Sequence, residues 1–423
     1  MPQNTPHTPS SLSRFALACA AIGIVAGIGG LIVSSLLHII QHWAYGYSTH
    51  DILGHVSFLE GVTLAPWWRR LLALSVCGTV AGLGWWYMWR RMRPLMGVNS
   101  AVREGAPPMP TTTTLWHVAL QIITVGLGSP LGREVAPREL GALSAGHIAR
   151  WLRLSPADIA LLMACGTGAG LAAVYNVPLA GALFSLEVLL GRFQWRMVIP
   201  ALATSALAAW VAALGLGSAP QYHLHMHVEV APQLVVWALI AGPLLGAAAY
   251  AFSRLTERAR VSAPRDHRLL IFCLINFPLI GAMSLIAPAI LGNGKPIVQS
   301  CIDGSLTLPM LLIVLLFKLV AVWGSLKSGA HGGLLTPGLA MGAIIGTLGG
   351  MLWNSVLMTS IPMEAFVLIA APAFLAASMR MPMTALALGV ELTRVDHSWL
   401  APMVLATAGA LATAHLCQQR WSA

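Results

Sequence analysis

The carboxylate of Glu134 is flanked by apolar sequence, which predicts that it is shielded from water. Glu134 belongs to the segment GREVAP, residues 132–137, inside an otherwise hydrophobic stretch. A buried charge is unfavourable unless a partner or a function requires it. Gly132 permits close backbone approach, and Pro137 suits the first turn of a helix. The segment therefore predicts a loop that enters a helix N-terminus, where exposed N–H groups bind anions.

A carboxylate at an anion-binding helix start can gate that site by entering and leaving it. Ionised Glu134 would occupy the place of an anion, and protonated Glu134 would release it. Burial favours the neutral form of a carboxyl group, so protonation and anion binding would be coupled. A structural ion pair, Arg133–Glu134 or Glu134–Arg138, is the alternative interpretation of the same residues.

The composition places these residues in a membrane protein. Of the 423 residues, 57% are hydrophobic and only 9% are charged, against roughly 25% charged in soluble domains. The formal net charge of +10 fits basic loops on the cytoplasmic side of a membrane. No basic stripe with interleaved aromatic residues supports nucleic-acid binding. Six scattered cysteines form neither a disulfide nor a metal-binding pattern.

The apolar segments predict an all-α polytopic membrane protein. Residues 1–13 are rich in Pro, Ser and Thr and are predicted to be a disordered tail. The run 15–40 is the first predicted membrane helix, with the N-terminus in the cytoplasm. Several later segments are shorter than the roughly 20 residues of a simple span, and Gly and Pro interrupt many of them. Such broken helices are typical of transporters. Lys318 and Lys327 flank apolar sequence and are predicted to snorkel to the interface.

Two halves of the chain resemble each other. The basic segment 254–268 is a predicted cytoplasmic linker between a first repeat, 14–253, and a second, 269–423. Matches at a spacing of 204 are Leu171–Ala173 with Leu375–Ala377, Pro178 with Pro382, and Glu187 with Glu391. GREVAP has a counterpart in GGLLTP, residues 332–337, at a spacing of 200. Repeated halves with broken helices favour a binding site at the repeat interface.

Four segments together resemble the CLC family of anion transporters and channels. GREVAP is similar to the family motif GREGP, whose glutamate gates the anion pathway, and GGLLTP is similar to Gly-x-Phe-x-Pro. AAVYNVPLAGALFSLE, 172–187, and LGNGKPIV, 291–298, resemble two further family segments. The resemblance implies a fold of two inverted repeats with broken and tilted helices, and a homodimer with one anion pathway per subunit. No soluble C-terminal regulatory domain is expected.

The departures from the family resemble one branch, the bacterial fluoride/proton antiporters. The family pattern Gly-Ser-Gly-Ile-Pro is missing near residues 96–106, and Val98 or Asn99 aligns with its serine. Val188 aligns with the inner proton glutamate, and Leu335 with the phenylalanine of the second motif. Thr336 precedes the proline of that motif, as a threonine does in the fluoride branch.

The predicted site would replace the hydration of a small anion with strong donors. An Asn99 amide, a Thr336 hydroxyl and helix-start N–H groups can supply them. The predicted anion-binding residues are Val98, Asn99, Arg133, Val135, Leu334, Leu335 and Thr336. Asn99 as a helix N-cap and Thr336 as a simple helix-start residue are the alternatives. Glu187 is a possible proton-path residue, although both Glu187 and Glu391 are also interpreted as structural partners.

The predicted function is fluoride export in exchange for protons, across a lipid bilayer that we expect to be a bacterial inner membrane. A chloride/proton exchanger remains open, and so does a passive chloride channel, since family channels carry valine where Val188 lies. No paired Asp/His or nucleophile with a base indicates an enzyme, and no cofactor is expected. His223, His225 and His227 alternate, but three ligands from one short loop are weak evidence for a metal, and a polar loop is the preferred interpretation.

Overall fold

The structure, a computed structural model, describes residues 12–47, 57–225 and 230–421. Most of the predicted tail lies outside the described residues, and its last two residues are helical. The seventeen α-helices of the described part are α1 Leu12–Tyr45, α2 Phe58–Leu64, α3 Trp67–Arg91, α4 Val98–Ala101, α5 Thr111–Gly126, α6 Val135–Trp151, α7 Pro156–Tyr175, α8 Pro178–Phe184, α9 Trp195–Leu216, α10 Pro232–Val261, α11 His267–Ile286, α12 Lys295–Ile302, α13 Leu308–Lys327, α14 Leu335–Leu357, α15 Met363–Met379, α16 Pro382–Thr393 and α17 Leu400–Trp421. A π-helix, Ser185–Leu190, continues α8.

Nine helices in the described ranges are long and apolar enough to cross a membrane. They are α1, α3, α7, α9, α10, α11, α13, α14, and α17 with the short turn before it. Others are shorter, such as the seven residues of α8 and the twelve of α16. The predicted all-α polytopic architecture with broken helices is confirmed.

The chain forms two compact units, each assembled from separate stretches. The first comprises the described residues within Met1–Ser34, Arg93–Val118 and Ala136–Ala219, and the second comprises those within Ser35–Met92, Ala119–Val135 and Pro220–Ala423. The predicted repeat boundary at residue 253 lies inside α10, which extends to Val261 and so takes in the first half of the predicted linker.

Small residues let helices approach closely within each unit, as is common in membrane proteins. In the first unit, a Cβ on Gly141 of α6 would overlap the carbonyl oxygen of Gly166 in α7. In the second unit, a Cβ on Gly246 of α10 would overlap the backbone of Ala410 in α17. At both places a larger residue than glycine would push the helix backbones apart.

The same local backbone pattern recurs at the predicted offset of 204. The C-cap residues are Asn176 after α7 and Arg380 after α15, and both have a left-handed backbone. The next residue then donates its N–H back into the preceding helix, from Val177 to the Ala172 carbonyl and from Met381 to the Ala376 carbonyl, each at 3.2 Å. A Pro-initiated helix follows in both places. This agreement supports an internal repeat of the local structure.

Candidate functional site

Glu134 lies immediately before α6, as the GREVAP segment predicts, and its side chain is fully buried. Its carboxylate contacts the start of another helix, α14. Oε1 accepts the N–H of Leu335 at 2.7 Å, and Oε2 accepts the hydroxyl of Thr336 at 3.2 Å. Leu335 is the first residue of a 23-residue helix, whose N-terminus favours negative charge. The carboxylate therefore occupies a site with the donors that an anion requires.

Two glycines make room for this carboxylate. Gly132 and Gly333 exchange both backbone hydrogen bonds, each at 2.8 Å, in an isolated antiparallel bridge. A Cβ on either glycine would overlap the Glu134 carboxylate. The bridge thus fixes the GREVAP loop to the GGLLTP loop while leaving a space that fits one carboxylate.

The predicted anion-binding residues of the second unit follow the two bridge glycines closely in sequence. Arg133 is buried, Val135 is the first residue of α6, and Leu334 is the N-cap residue of α14. Thr336 is buried in the first turn of α14, so it is both a helix-start residue and a donor to Glu134.

Val98 and Asn99 lie in the first unit, on the four-residue helix α4. Gly97 holds the N-cap position, so the N-cap alternative for Asn99 is wrong, and the side chain is exposed. Anion binding by Asn99 stays a prediction. Glu187, also in the first unit, is half-buried in the π-helix Ser185–Leu190, a distortion that is frequent at functional sites.

Sequence analysis missed two contacts of the site and, separately, one buried pair in the first unit. Arg260, expected in a cytoplasmic linker, donates to the Gly332 carbonyl at 2.9 Å and so contacts the second loop of the site. Gly294, the N-cap of α12, packs on the first turn of α14, where its Cβ would lie 3.1 Å from the Thr336 carbonyl oxygen. In the first unit, His117 and Glu139 form a buried pair at 2.7 Å. None of these contacts has a local sequence signal.

Lys295 begins α12 and brings a positive charge near this region. Its Nζ donates to Gln221 at 3.3 Å. Desolvation lowers the pKa of Lys295 to about 8, and the positive charge of Arg133 contributes further. Part of the residue is also open to solvent.

The histidine segment contacts α12 with a regular register. Three hydrogen bonds join the two segments, one on each successive turn of the helix. They link Gln221 with Lys295, His223 with Gln299, and His225 with Asp303. Two residues of extended chain rise about 6.6 Å and four helical residues about 6 Å, so the spacings match. Within the described part of the chain, no group of three metal-ligating side chains is present, and His227 lies outside it. The observed contacts agree with a polar loop.

Comparison with known proteins assigns this architecture to a family. A model of the voltage gated chloride channel family matches residues 77–415. The voltage-gated ClC-type chloride channel ClcB of Salmonella typhimurium is 30% identical over 81% of this chain and 81% of its own length. That of Shigella flexneri is 33% identical over 70% of this chain and 71% of its own length.

Solved structures show the same fold. A slow cyanobacterial Cl⁻/H⁺ antiporter matches with a TM-score of 0.83 and 22% identity, over 96% of this chain and 95% of that one. A CLC-type fluoride/proton antiporter matches with a TM-score of 0.74 and 20% identity, over 96% of both chains. The chain is therefore a multi-pass membrane protein that belongs to the CLC family of voltage-gated chloride channels and anion transporters.

Proposed function

We propose that this protein exchanges an anion for protons and that Glu134 is the group through which the two are coupled. The observation that carries the proposal is the buried carboxylate held by the Leu335 N–H and the Thr336 hydroxyl. Hydrogen bonds to an ionised acceptor contribute about 1.5–3 kcal/mol each. An anion that enters the pathway competes for the same two donors.

Protonation changes the outcome of that competition. Neutral Glu134 is a weaker acceptor, so the helix-start donors become available to the transported anion. When the proton leaves, the carboxylate can return and displace the anion. Opposite movement of anion and proton follows if each occupies this space in turn.

Fluoride is the anion that the departures from the family pattern favour. Thr336 supplies a hydroxyl at the helix start, and Asn99 remains the predicted amide donor. Fluoride has a high dehydration free energy, so it needs strong donors of this kind. An inside-negative potential favours anion exit by about 2.3 kcal/mol per 100 mV and per charge, which suits export from a bacterial cell in exchange for entering protons.

Chloride is the second candidate, because the relatives at 30–33% identity are named chloride channels. The chloride/proton antiporter also matches the fold with the higher TM-score of the two antiporters. A passive chloride pathway would use Glu134 as a gate without proton exchange.

We further propose a homodimer in a bacterial inner membrane, with a cytoplasmic N-terminus and one anion pathway per subunit. Mass measurement of the detergent-solubilised protein tests the dimer. Accessibility of single introduced cysteines in membrane vesicles tests the orientation. A monomeric mass, or an N-terminus labelled from the outside, would refute these two points.

The transport proposal is tested in proteoliposomes with fluoride and chloride electrodes and an imposed proton gradient. The wild type is compared with Glu134→Gln, and with Glu364→Gln as a control that changes another buried carboxylate in the same unit. The proposal is supported if fluoride efflux exceeds chloride efflux and moves protons inward, and if this coupling is lost only in Glu134→Gln. Chloride preference selects the second candidate. Flux without proton movement in the wild type refutes exchange.

A further inference from the structure

Lys318 is a buried positive charge that the proposed mechanism does not yet use. It lies inside α13, and its side chain is fully buried, so the prediction that it snorkels to the membrane interface is wrong. Its ammonium donates to the carbonyl of Ile290 at 3.0 Å and to that of Gly292 at 2.7 Å. Among the residues that the structure describes, no carboxylate forms an ion pair with it.

This arrangement leaves the charge only partly compensated. Two carbonyl oxygens satisfy two of the three ammonium donors, but they carry partial rather than full negative charge. A full charge in a water-excluded site is unfavourable unless a counter-charge is present. An anion bound nearby, or the Glu134 carboxylate that takes its place, would provide one.

The turn that Lys318 holds contacts both loops of the candidate site. The N–H of Gly292 donates to the carbonyl of Gly128 at 3.1 Å, at the start of the loop that leads to Glu134. Both glycines have positive φ values, +69° for Gly292 and +106° for Gly128, which other residues rarely adopt. On its other side, Gly294 packs on Thr336 in the first turn of α14.

We propose that Lys318 is a positioning residue for the anion site. It fixes the turn 290–294 between the loop of Glu134 and the start of α14. In its protonated form it also supplies a positive charge that favours an anion, or the Glu134 carboxylate, at the helix-start donors. This inference rests on the proposed function, because it assigns the charge to the same anion site.

Four variants separate charge from structure, and one of them, Lys318→Arg, keeps the positive charge. Lys318→Met removes the charge and the donors at similar length. Lys318→Gln keeps an N–H donor without the charge. Lys327→Met is the matched control, because Lys327 ends the same helix and contacts Ser262 at 2.7 Å, away from this turn.

The measurement is calorimetric titration of fluoride and of chloride into purified protein, in a Glu134→Gln background where the carboxylate cannot compete. Thermal unfolding is followed in parallel. We expect both Lys318 variants to weaken halide binding about tenfold or more, equivalent to about 1.4 kcal/mol, and Lys327→Met to bind as its parent. A purely structural lysine would lower the unfolding temperature and leave the affinity of the folded fraction unchanged.

The outcomes are distinguishable from failure of the proposed function. If the Glu134→Gln parent binds neither halide, the anion site itself is misassigned. If the parent binds and a folded Lys318→Gln protein binds equally well, the role of Lys318 is refuted. Should Lys318→Met fail to fold, Lys318→Gln and Lys318→Arg decide, because only the arginine variant is expected to retain halide affinity.

Discussion

Replacing Gly333 by alanine should displace the Glu134 side chain without substituting Glu134 itself. The Cβ of alanine at this position would overlap Oε1 of Glu134. Gly333 does not have a left-handed backbone, so alanine is compatible with the local chain. The expected result is a displaced carboxylate in an otherwise intact loop, because the two bridge hydrogen bonds use only backbone atoms.

The size of the effect follows from the two hydrogen bonds that Glu134 would lose. At about 1.5–3 kcal/mol for each bond to a charged acceptor, their loss amounts to roughly 3–6 kcal/mol. Water or a shifted side-chain position would recover part of this. Even a net loss of about 3 kcal/mol lowers the occupancy of the site by the carboxylate more than a hundredfold. Halide flux in Gly333→Ala should therefore be faster and less dependent on protons than in the wild type.

The assay is the proteoliposome flux measurement, with Gly338→Ala as the control. Gly338 lies five residues later on α14, where a Cβ would meet Leu375 only at an ordinary 3.4 Å. That control should retain wild-type coupling. Combining Gly333→Ala with Glu134→Gln should add little to the effect of Glu134→Gln alone. A folded Gly333→Ala protein with wild-type rate and coupling would refute the assignment of this space to the gate.

Three further predictions test neighbouring groups. Thr336→Val removes a hydroxyl at nearly constant volume and should weaken halide binding about tenfold by calorimetry in the Glu134→Gln background; unchanged affinity would show that the hydroxyl does not contact the anion. The pKa of Lys295 is lowered to about 8, so its positive charge is present below that pH and is lost as the pH rises through it. Halide flux at constant proton gradient should therefore fall between about pH 7 and pH 9. Lys295→Gln should abolish this decline, and an identical decline in that variant would assign it to another group. Arg260→Met removes the donor to the Gly332 carbonyl and should lower the halide affinity severalfold. The control Arg258→Met changes a neighbouring position of the same helix and should leave the affinity unchanged. Equal effects of the two changes would indicate a general loss of surface charge.

Local features of the site could be predicted because they depend on neighbouring residues. The placement of Pro137 and Pro337 in the first turns of α6 and α14 follows from the fixed φ of proline and its missing N–H. The Pro-initiated helices at Pro178 and Pro382 are of the same kind. The low charge content predicts membrane helices because charged groups are unfavourable in lipid.

Other expectations depended on contacts between distant residues, and these failed or stayed open. In the sequence, Lys318 is a lysine within an apolar helix. No neighbouring residue in the chain indicates that its ammonium donates to the carbonyls of residues 290 and 292. Arg260 reads as part of a basic surface segment, yet α10 continues far enough to bring it to Gly332. In both cases the partner lies more than twenty residues away.

Composition and motifs were enough to predict a membrane protein that resembles the CLC family and to single out Glu134 as a carboxylate within apolar sequence. The donors that hold this carboxylate became visible only in the packed fold. Local backbone preferences pointed to the start of its own helix, α6, and Leu335 and Thr336 were predicted only through the resemblance to the CLC family; both of these observed donors belong to α14, about 200 residues later. The reason is physical: helix starts follow from local backbone preferences, whereas the pairing of Gly132 with Gly333 requires the packed fold to bring two distant loops together.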